Sequence, residues 1–281
     1  MNNNPAVPMM TLNNGVAIPQ VGLGVYEAAE GAEVEVAVHA AFEAGYRLID
    51  TAAIYGNEAG VGKAVKDSGL PREEIFITTK LWNANHAYDD ALRAFDESMS
   101  RLDCGYIDLY LIHWPLPMDG KFPEAWRAME KLYNDKRVRA IGVSNFKNHH
   151  LDELLKSTAT VPEVNQIELH PMLQDKETRV YCAERGIAIE SYSPLMRAGE
   201  ALEHPVIAEI SRQHGKTPAQ AILRWHVQSD LIVIPKSVKP ERIRENLDLF
   251  DFELSETEMQ AIEGMDEGRR IGADPDTASF K

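Results

Sequence analysis

An aspartate and a tyrosine stand five residues apart where a short apolar run passes into a polar turn. The run from Tyr46 to Ala52 predicts a strand, with Asp50 near its C-terminal end and Tyr55 in the turn. A free phenol has a pKa of about 10, too high for easy proton donation near neutral pH. A neighbouring lysine ammonium favours the phenolate and lowers that pKa. The segment therefore predicts a proton donor, provided that the fold places a lysine and a histidine beside it.

Candidates for both partners, and several amides, stand at the ends of later apolar runs. Each has an ordinary structural alternative. A strand-end aspartate is commonly a cap, a lone histidine is commonly a structural residue, and a single lysine is commonly solvated. Their shared position favours a common site, because the active site of a parallel βα barrel forms at the C-terminal ends of its strands. The strand-end residues after Asp50 and Tyr55 are Lys80, His113, Trp114, Ser144, Asn145, Gln166, Glu168, Tyr192, Ser193, Lys236 and Ser237.

The elements that must position these side chains alternate between strand and helix patterns. Asn14-Gly15 predicts the turn of an N-terminal β-hairpin, from Thr11 to Pro19. Amphipathic segments such as Glu33 to Ala44 and Asp89 to Leu102 predict helices, and Gly186 is expected to cap another. The predicted fold is α/β, a (β/α)8 TIM barrel with an N-terminal β-hairpin. Its strands are expected at 21–26, 46–52, 75–81, 107–113, 140–145, 163–169, 188–194 and 231–237.

Length and composition limit the possible functions. The 281 residues show no linker or change in composition, which predicts one domain over residues 1–281, with the tail after Gly264 wrapping over the barrel. A net charge of −15 argues against sequence-independent binding to nucleic acid or an acidic membrane. No apolar run approaches the ~20 residues of a membrane span, and the start lacks a secretory signal, so a cytoplasmic location is predicted.

Five segments together resemble the aldo-keto reductases. Gly45 to Glu58 (GYRLIDTAAIYGNE), Tyr106 to Pro115 (YIDLYLIHWP) and Ile234 to Asn246 (IPKSVKPERIREN) are similar to signatures of that family. Ile77 to Asn83 and Gly142 to Phe146 also match, and all five occur in the family's order. The chain is therefore identified as a member, and its short loops look like those of the bacterial 2,5-diketo-D-gluconate reductase group.

The resemblance implies a catalytic quartet of Asp50, Tyr55, Lys80 and His113. Tyr55 would act as general acid, Lys80 would lower its pKa, Asp50 would hold Lys80, and His113 would orient the carbonyl oxygen. A structural ion pair is the alternative for Asp50 and Lys80. The implied reaction is NADPH-dependent reduction of aldehydes, keto sugars, α-dicarbonyls or other ketones.

The resemblance also implies the cofactor site. Ser144, Asn145 and Gln166 match ligands of the nicotinamide carboxamide, and Tyr192 matches the ring that stacks on the nicotinamide, although core packing would also explain Tyr192. Lys236 and Arg242 are cations for the 2′-phosphate, which favours NADPH/NADP+ over NADH, with a solvated basic patch as the alternative. The complete predicted cofactor set is Gly24, Ser144, Asn145, Gln166, Tyr192, Ser193, Leu195, Lys236, Ser237, Val238, Arg242, Glu245 and Asn246.

Four residues match the family's substrate mouth: Tyr26, Trp82, His113 and Trp114. They predict an aromatic pocket that is open because the loop after Trp114 and the tail are short, although core packing would also explain Tyr26. Arg269 and Arg270 could reach a carboxylate on a small-molecule substrate, or simply be solvated. The family resemblance implies a monomer.

Other motifs are incomplete. Gly22-x-Gly24 lacks the third glycine of a dinucleotide fingerprint, and the sequence contains no convincing zinc spacing, so no metal is predicted. His149 and His150 are assigned to the surface.

Two rival functions remain open. One is a non-catalytic NADP-binding sensor, and the other is a lyase that forms a Schiff base through Lys80 or Lys236.

Overall fold

Eight parallel strands form the centre of the molecule, seen in a computed structural model that describes residues 7–158 and 160–281. Each strand from β3 to β10 pairs with the next one along the chain, and a two-stranded antiparallel hairpin precedes them. The hairpin strands are β1 (Met9–Thr11) and β2 (Ala17–Pro19). The parallel strands are β3 (Leu23–Gly24), β4 (Leu48–Asp50), β5 (Phe76–Leu81), β6 (Ile107–Ile112), β7 (Val138–Ser144), β8 (Val164–Glu168), β9 (Ala188–Tyr192) and β10 (Ile232–Val233).

The sheet closes on itself through isolated bridges between its first and last strands. Val21 pairs with Val233, and Gly24 pairs with Lys236. Both strands are shorter than the predicted 21–26 and 231–237. Strand β10 ends before Pro235, which has no N–H with which to continue the ladder. The two segments approach closely at Gly24, where a Cβ atom would lie 3.0 Å from the carbonyl oxygen of Ile234. The (β/α)8 barrel with its N-terminal hairpin is confirmed.

The hairpin covers the N-terminal end of the barrel. Leu12 and Ile18 are buried in the same apolar cluster as Leu48 and Phe76, the first residues of β4 and β5, and Val164, the first residue of β8. That end is filled by apolar side chains. The polar strand-end residues therefore lie at the opposite, C-terminal end, as the barrel fold requires.

Helices surround the strands and pack their apolar faces inward. In the first helix, Val34, Ala37, Val38 and Ala41 are buried at the three- and four-residue spacing of one helical face. No helix within residues 7–158 and 160–281 is long and apolar enough to cross a membrane. The helices are α1 (Ala32–Ala44), α2 (Glu58–Asp67), α3 (Tyr88–Leu102), α4 (Phe122–Asn134), α5 (Asn148–Leu155), α6 (Lys176–Ala183), α7 (Pro205–His214), α8 (Pro218–Gln228), α9 (Pro240–Leu247) and α10 (Glu256–Glu263).

Two local predictions need correction. Helix α6 ends at Ala183 with Glu184 as its C-cap, so Gly186, at φ +68°, lies in the turn beyond the cap. His150 is not on the surface: only 1% of it is exposed, and its ring packs edge-on against Phe122 and Phe146. The histidine was misplaced because α5 turns this position toward α4 and the end of β7, contacts that the adjacent His149 does not share.

Candidate active site

A buried lysine links the strand and the turn that carry the predicted proton donor. Asp50 pairs in register with Thr78, and Lys80 stands two residues further along β5, on the same face as Thr78. Lys80 Nζ donates to Asp50 Oδ1 at 2.6 Å and to the carbonyl oxygen of Thr51 at 2.9 Å. Its third contact is Tyr55 Oη, at 3.4 Å. An ammonium has three protons, so each has one acceptor here.

The charge on Lys80 is stabilised despite its complete burial. Burial by itself disfavours the ammonium, but the charge of Asp50, the Tyr55 phenol and the hydrogen bond to Asp50 together raise the pKa of Lys80 above its ordinary value. Lys80 therefore remains charged near neutral pH.

Tyr55 lies in a single 3-10 turn after β4, from Ala53 to Tyr55, which ends at Gly56 in the left-handed conformation. Burial raises the pKa of Tyr55 to about 12, although Lys80 acts to lower it. Lys80 therefore acts on this pKa in the expected direction, but desolvation of the phenolate outweighs the ammonium, and the net shift is upward. Tyr55 consequently holds its proton at neutral pH, as a donor must.

His113 follows β6 and faces the Tyr55 phenol. The two ring centroids are 5.8 Å apart and the ring planes meet at 74°. Burial, reinforced by Lys80, lowers the pKa of His113 well below its ordinary value, so the imidazole is neutral. Its Nδ1 is buried and has no hydrogen-bond partner among the described residues. A neutral imidazole carries one N–H, with which His113 can donate to a substrate oxygen.

One cleft of about 1200 Å³ collects the predicted site residues at this end of the barrel. It is lined by Asp50, Tyr55, all thirteen predicted cofactor residues and all four predicted substrate residues. Lys80 is the exception, because it is fully buried behind Asp50 and Tyr55. The cleft is large enough for a dinucleotide and a small substrate together.

Four polar residues form a hydrogen-bonded wall beside the phenol. Ser144 Oγ donates to the carbonyl oxygen of Gln166 at 2.8 Å. Asn145 Nδ2 donates to the carbonyl oxygen of His113 at 2.9 Å, and Tyr192 Oη donates to Asn145 Oδ1 at 2.7 Å. Asn145 has φ +65°, a left-handed conformation that asparagine tolerates better than most residues. These bonds fix the side chains of the wall relative to one another.

The far end of the cleft carries two free cations. Lys236 and Arg242 are exposed, and within the described part of the chain neither has a carboxylate within 4.0 Å. Arg244, two residues after Arg242 on the same helix, instead pairs with Glu43 outside the cleft. The two cations are therefore available to an anionic group in the cleft, in a chain whose net charge is −15.

The predicted substrate mouth contains an aromatic residue that sequence patterns did not indicate. The Phe280 ring stacks on Trp82 with centroids 6.0 Å apart and meets Trp114 edge-on at 5.1 Å. Asn83 Nδ2 anchors this part of the tail by donating to the Phe280 carbonyl oxygen at 2.9 Å. Arg197 also lines the cleft, with its guanidinium over the Tyr26 ring. Neither residue belongs to a recognisable motif, so only the packed tail and loop reveal them.

The two tail arginines do not line the cleft. Arg269 pairs with Glu200 at the surface, and the Arg270 guanidinium lies 3.7 Å from buried Glu168. Lys147 holds the tail by donating to Asp274 and Asp276, each at 2.7 Å.

Asp276 also lies beside His149 and His150, a grouping able to offer three metal ligands. However, the Nδ1 of His150 accepts from the backbone N–H of Lys147, which leaves the proton of its neutral ring on Nε2, the atom that faces Asp276.

Comparison with known proteins gives the same family along almost the whole chain. Residues 20–267 match the pattern of the Aldo/keto reductase family. The chain is 51% identical over 269 residues to a glyoxal reductase of Bacillus subtilis, covering 96% of each protein. It is 48% identical over 288 residues to a morphine 6-dehydrogenase of Pseudomonas putida, covering 97% of each.

A solved structure agrees with the fold. The crystal structure of a mutant of Gox0644 in complex with NADPH superposes with a TM-score of 0.92 at 46% identity, covering 98% of this chain and 100% of the other. The family predicted from the sequence is therefore confirmed: this chain belongs to the aldo/keto reductase family.

Proposed function

We propose that this protein uses NADPH to reduce small aldehydes, keto sugars or α-dicarbonyls to alcohols, with Tyr55 as the general acid. The observation that carries the proposal is the Lys80 ammonium, which holds Asp50 and the Tyr55 phenol together at the floor of the cleft. The names of two relatives, a glyoxal reductase and a morphine 6-dehydrogenase, point to the same carbonyl–alcohol interconversion.

The residues of the cleft fit NADPH at both of its ends. Gln166, Ser144 and Asn145 offer polar atoms to the nicotinamide carboxamide, with the Tyr192 ring beside them. Lys236 and Arg242 offer the charge that a 2′-phosphate requires and that NADH does not use. When bound, NADPH supplies the hydride that the carbonyl carbon accepts.

The side chains supply the proton and the orientation. Neutral His113 donates a hydrogen bond to the carbonyl oxygen and directs it toward Tyr55. Tyr55 gives its proton to that oxygen as negative charge develops there, because an alkoxide is a much stronger base than a phenolate. Lys80 stabilises the resulting phenolate, and Asp50 keeps Lys80 charged. The net change is one hydride and one proton added across the carbonyl bond.

The Schiff-base alternative is weakened at Lys80. A lysine must lose its proton before it can attack a carbonyl, whereas Lys80 is buried, triply hydrogen-bonded and held as an ammonium by Asp50. The side chain also does not line the cleft. Trapping with borohydride would detect a lysine adduct, and we expect none.

A panel of carbonyl substrates, each assayed with NADPH and with NADH, tests the proposed function. We expect turnover that consumes the cofactor and prefers NADPH. Tight NADPH binding with no turnover across aldehydes, keto sugars and dicarbonyls would instead identify a non-catalytic sensor.

A further inference from the structure

A buried carboxylic acid, Glu190, is joined to Asp50 through Gln166 and has no part in the mechanism above. Glu190 is in the middle of β9, completely buried, and pairs in register with Gln166 on β8. An acid buried inside a barrel is unfavourable unless it is hydrogen-bonded or neutral. Its place among the site residues therefore requires an explanation.

One amide group joins this acid to the catalytic aspartate. Gln166 Nε2 donates to Asp50 Oδ2 at 2.8 Å and to Glu190 Oε2 at 2.8 Å. Both N–H bonds of the amide are thereby used, one on each acid. The amide orientation follows, since only the nitrogen can donate to two carboxyl oxygens. The carbonyl Oε1 of Gln166 accepts no hydrogen bond among the described residues, and Gln166 lines the cleft.

Asp50 and Glu190 do not share the negative charge equally. Lys80 contacts Asp50 directly but does not contact Glu190, so the negative charge is favoured on Asp50. Burial, together with the charge of Asp50, raises the pKa of Glu190 to about 8, against the opposing effects of Gln166 and Lys80. The remaining oxygen, Oε1 of Glu190, is buried and unpartnered among the described residues, so it can hold the proton.

We propose that Glu190 is a positioning residue, which holds the Gln166 amide with its Oε1 toward the cleft and sets the charge beside Asp50. In that orientation Oε1 accepts a hydrogen bond from the nicotinamide carboxamide N–H, so the inference rests on the proposed use of NADPH. Without Glu190, one N–H of Gln166 loses its acceptor and the amide is no longer held from both sides.

Two substitutions separate this role from simple packing. Glu190→Met keeps the length and removes both oxygens, whereas Glu190→Gln keeps an acceptor for Gln166 and replaces the protonated acid nearly atom for atom. We expect Glu190→Met to weaken NADPH binding by roughly fivefold, the loss of one modest hydrogen bond. Binding of 2′,5′-ADP, which lacks nicotinamide, should be unchanged, and Glu190→Gln should restore the NADPH affinity.

The pH dependence of kcat gives a second readout that packing would not change. Asp50 and Lys80 are the charged groups that face Glu190, and the Tyr55 phenol lies beyond Lys80. Ionisation of Glu190 adds a second negative charge there, which makes Tyr55 a weaker acid. The wild-type kcat should therefore fall in a step near pH 8, and Glu190→Gln should lack that step.

Each result is decisive. Equal weakening of NADPH and 2′,5′-ADP binding in Glu190→Met, or no weakening of either, would overturn the inference, as would an identical step near pH 8 in Glu190→Gln. If Glu190→Met does not fold, the pH profile of Glu190→Gln decides alone. Failure of the proposed function is separate, since it would appear as absent turnover in the wild-type protein.

Discussion

The Lys80 ammonium lies 2.6 Å from Asp50 Oδ1, and both side chains are buried at the C-terminal end of the barrel. A different buried carboxylate, Asp108, stands near the start of β6 at the opposite end, where it pairs with Arg72 and Arg139 at 2.8 and 2.6 Å. Only the first pair contacts the Tyr55 phenol. The two pairs therefore allow the structural and chemical roles of a buried charge to be separated.

Replacing Asp50 with Asn should reduce both stability and catalysis. A buried ammonium that loses its counter-charge costs about 3–5 kcal/mol, so urea unfolding should shift by up to that amount. The kcat should fall because Lys80 no longer stays charged beside Tyr55. Asp108→Asn is the matched control, which should lose stability with kcat retained. Equal effects on kcat would show that Asp50 acts only through the fold.

Replacing Tyr55 with Phe should remove the proton donor and leave the cleft intact. General acid catalysis contributes about 10² to 10⁴-fold, and we expect kcat to fall by that factor while NADPH still binds. Tyr46→Phe is the control, because the Tyr46 phenol is also buried but donates to the carbonyl oxygen of Ile243, away from the cleft. Retained turnover in Tyr55→Phe would assign the proton to another group, with His113 the first to examine.

Removing either free cation should change cofactor selectivity. Lys236→Ala and Arg242→Ala should each raise the Kd for NADPH roughly tenfold, since a hydrogen bond to a charged group contributes about 1.5–3 kcal/mol. The Kd for NADH should not change, and the difference should shrink in high salt. Arg244→Ala, on the same helix as Arg242, should leave the Kd for NADPH unchanged. Parallel losses of NADPH and NADH binding would exclude recognition of the 2′-phosphate.

Replacing Phe280 with Ala should affect large substrates selectively. The change removes the ring that packs on Trp82 and Trp114 but keeps the backbone bond from Asn83. Aromatic pairs contribute about 0.5–1.5 kcal/mol, so KM for an aromatic aldehyde should rise roughly two- to tenfold. KM for a three-carbon dicarbonyl serves as the internal control. A uniform change for both substrates would mean that the tail shapes the whole cleft.

One buried acid outside the site should make stability depend on pH. Glu163 Oε2 accepts from the backbone N–H of Ile141 at 2.7 Å, and burial raises the pKa of Glu163 to about 7 from 4.5. The folded state therefore binds this proton more tightly, so its stabilising contribution is complete below pH 4.5 and is lost as the pH rises to about 7. The Tm of Glu163→Gln relative to wild type should increase between pH 5 and pH 8. In the control Glu153→Gln, where the side chain is exposed, the Tm difference from wild type should not change with pH. A Tm difference that also stays constant in Glu163→Gln would refute the raised pKa of Glu163.

Much of the candidate site could be predicted because its residues stand at recognisable strand ends. The alternation of apolar runs and helix patterns placed Asp50, His113 and Gln166 at one end of a barrel, and the resemblance to a family assigned their roles. The single-domain organisation, the monomeric state, the cytoplasmic location and the grouping with 2,5-diketo-D-gluconate reductases remain predictions. Glu190 was not singled out, since an acid inside a strand has no distinctive spacing.

The sequence by itself determined which residues the strands carry to the open end of the barrel, because strand and helix periodicity depends on neighbouring residues. Only the tertiary structure decided what those residues experience there. Burial raises the pKa of Tyr55, whereas the charge of Lys80 considered alone would lower it. Helix packing also buries His150, which the sequence assigned to the surface. The folded tail brought Phe280 to the mouth across nearly two hundred residues of chain. Desolvation and long-range packing depend on segments that are distant in the chain, so a local sequence pattern does not predict them.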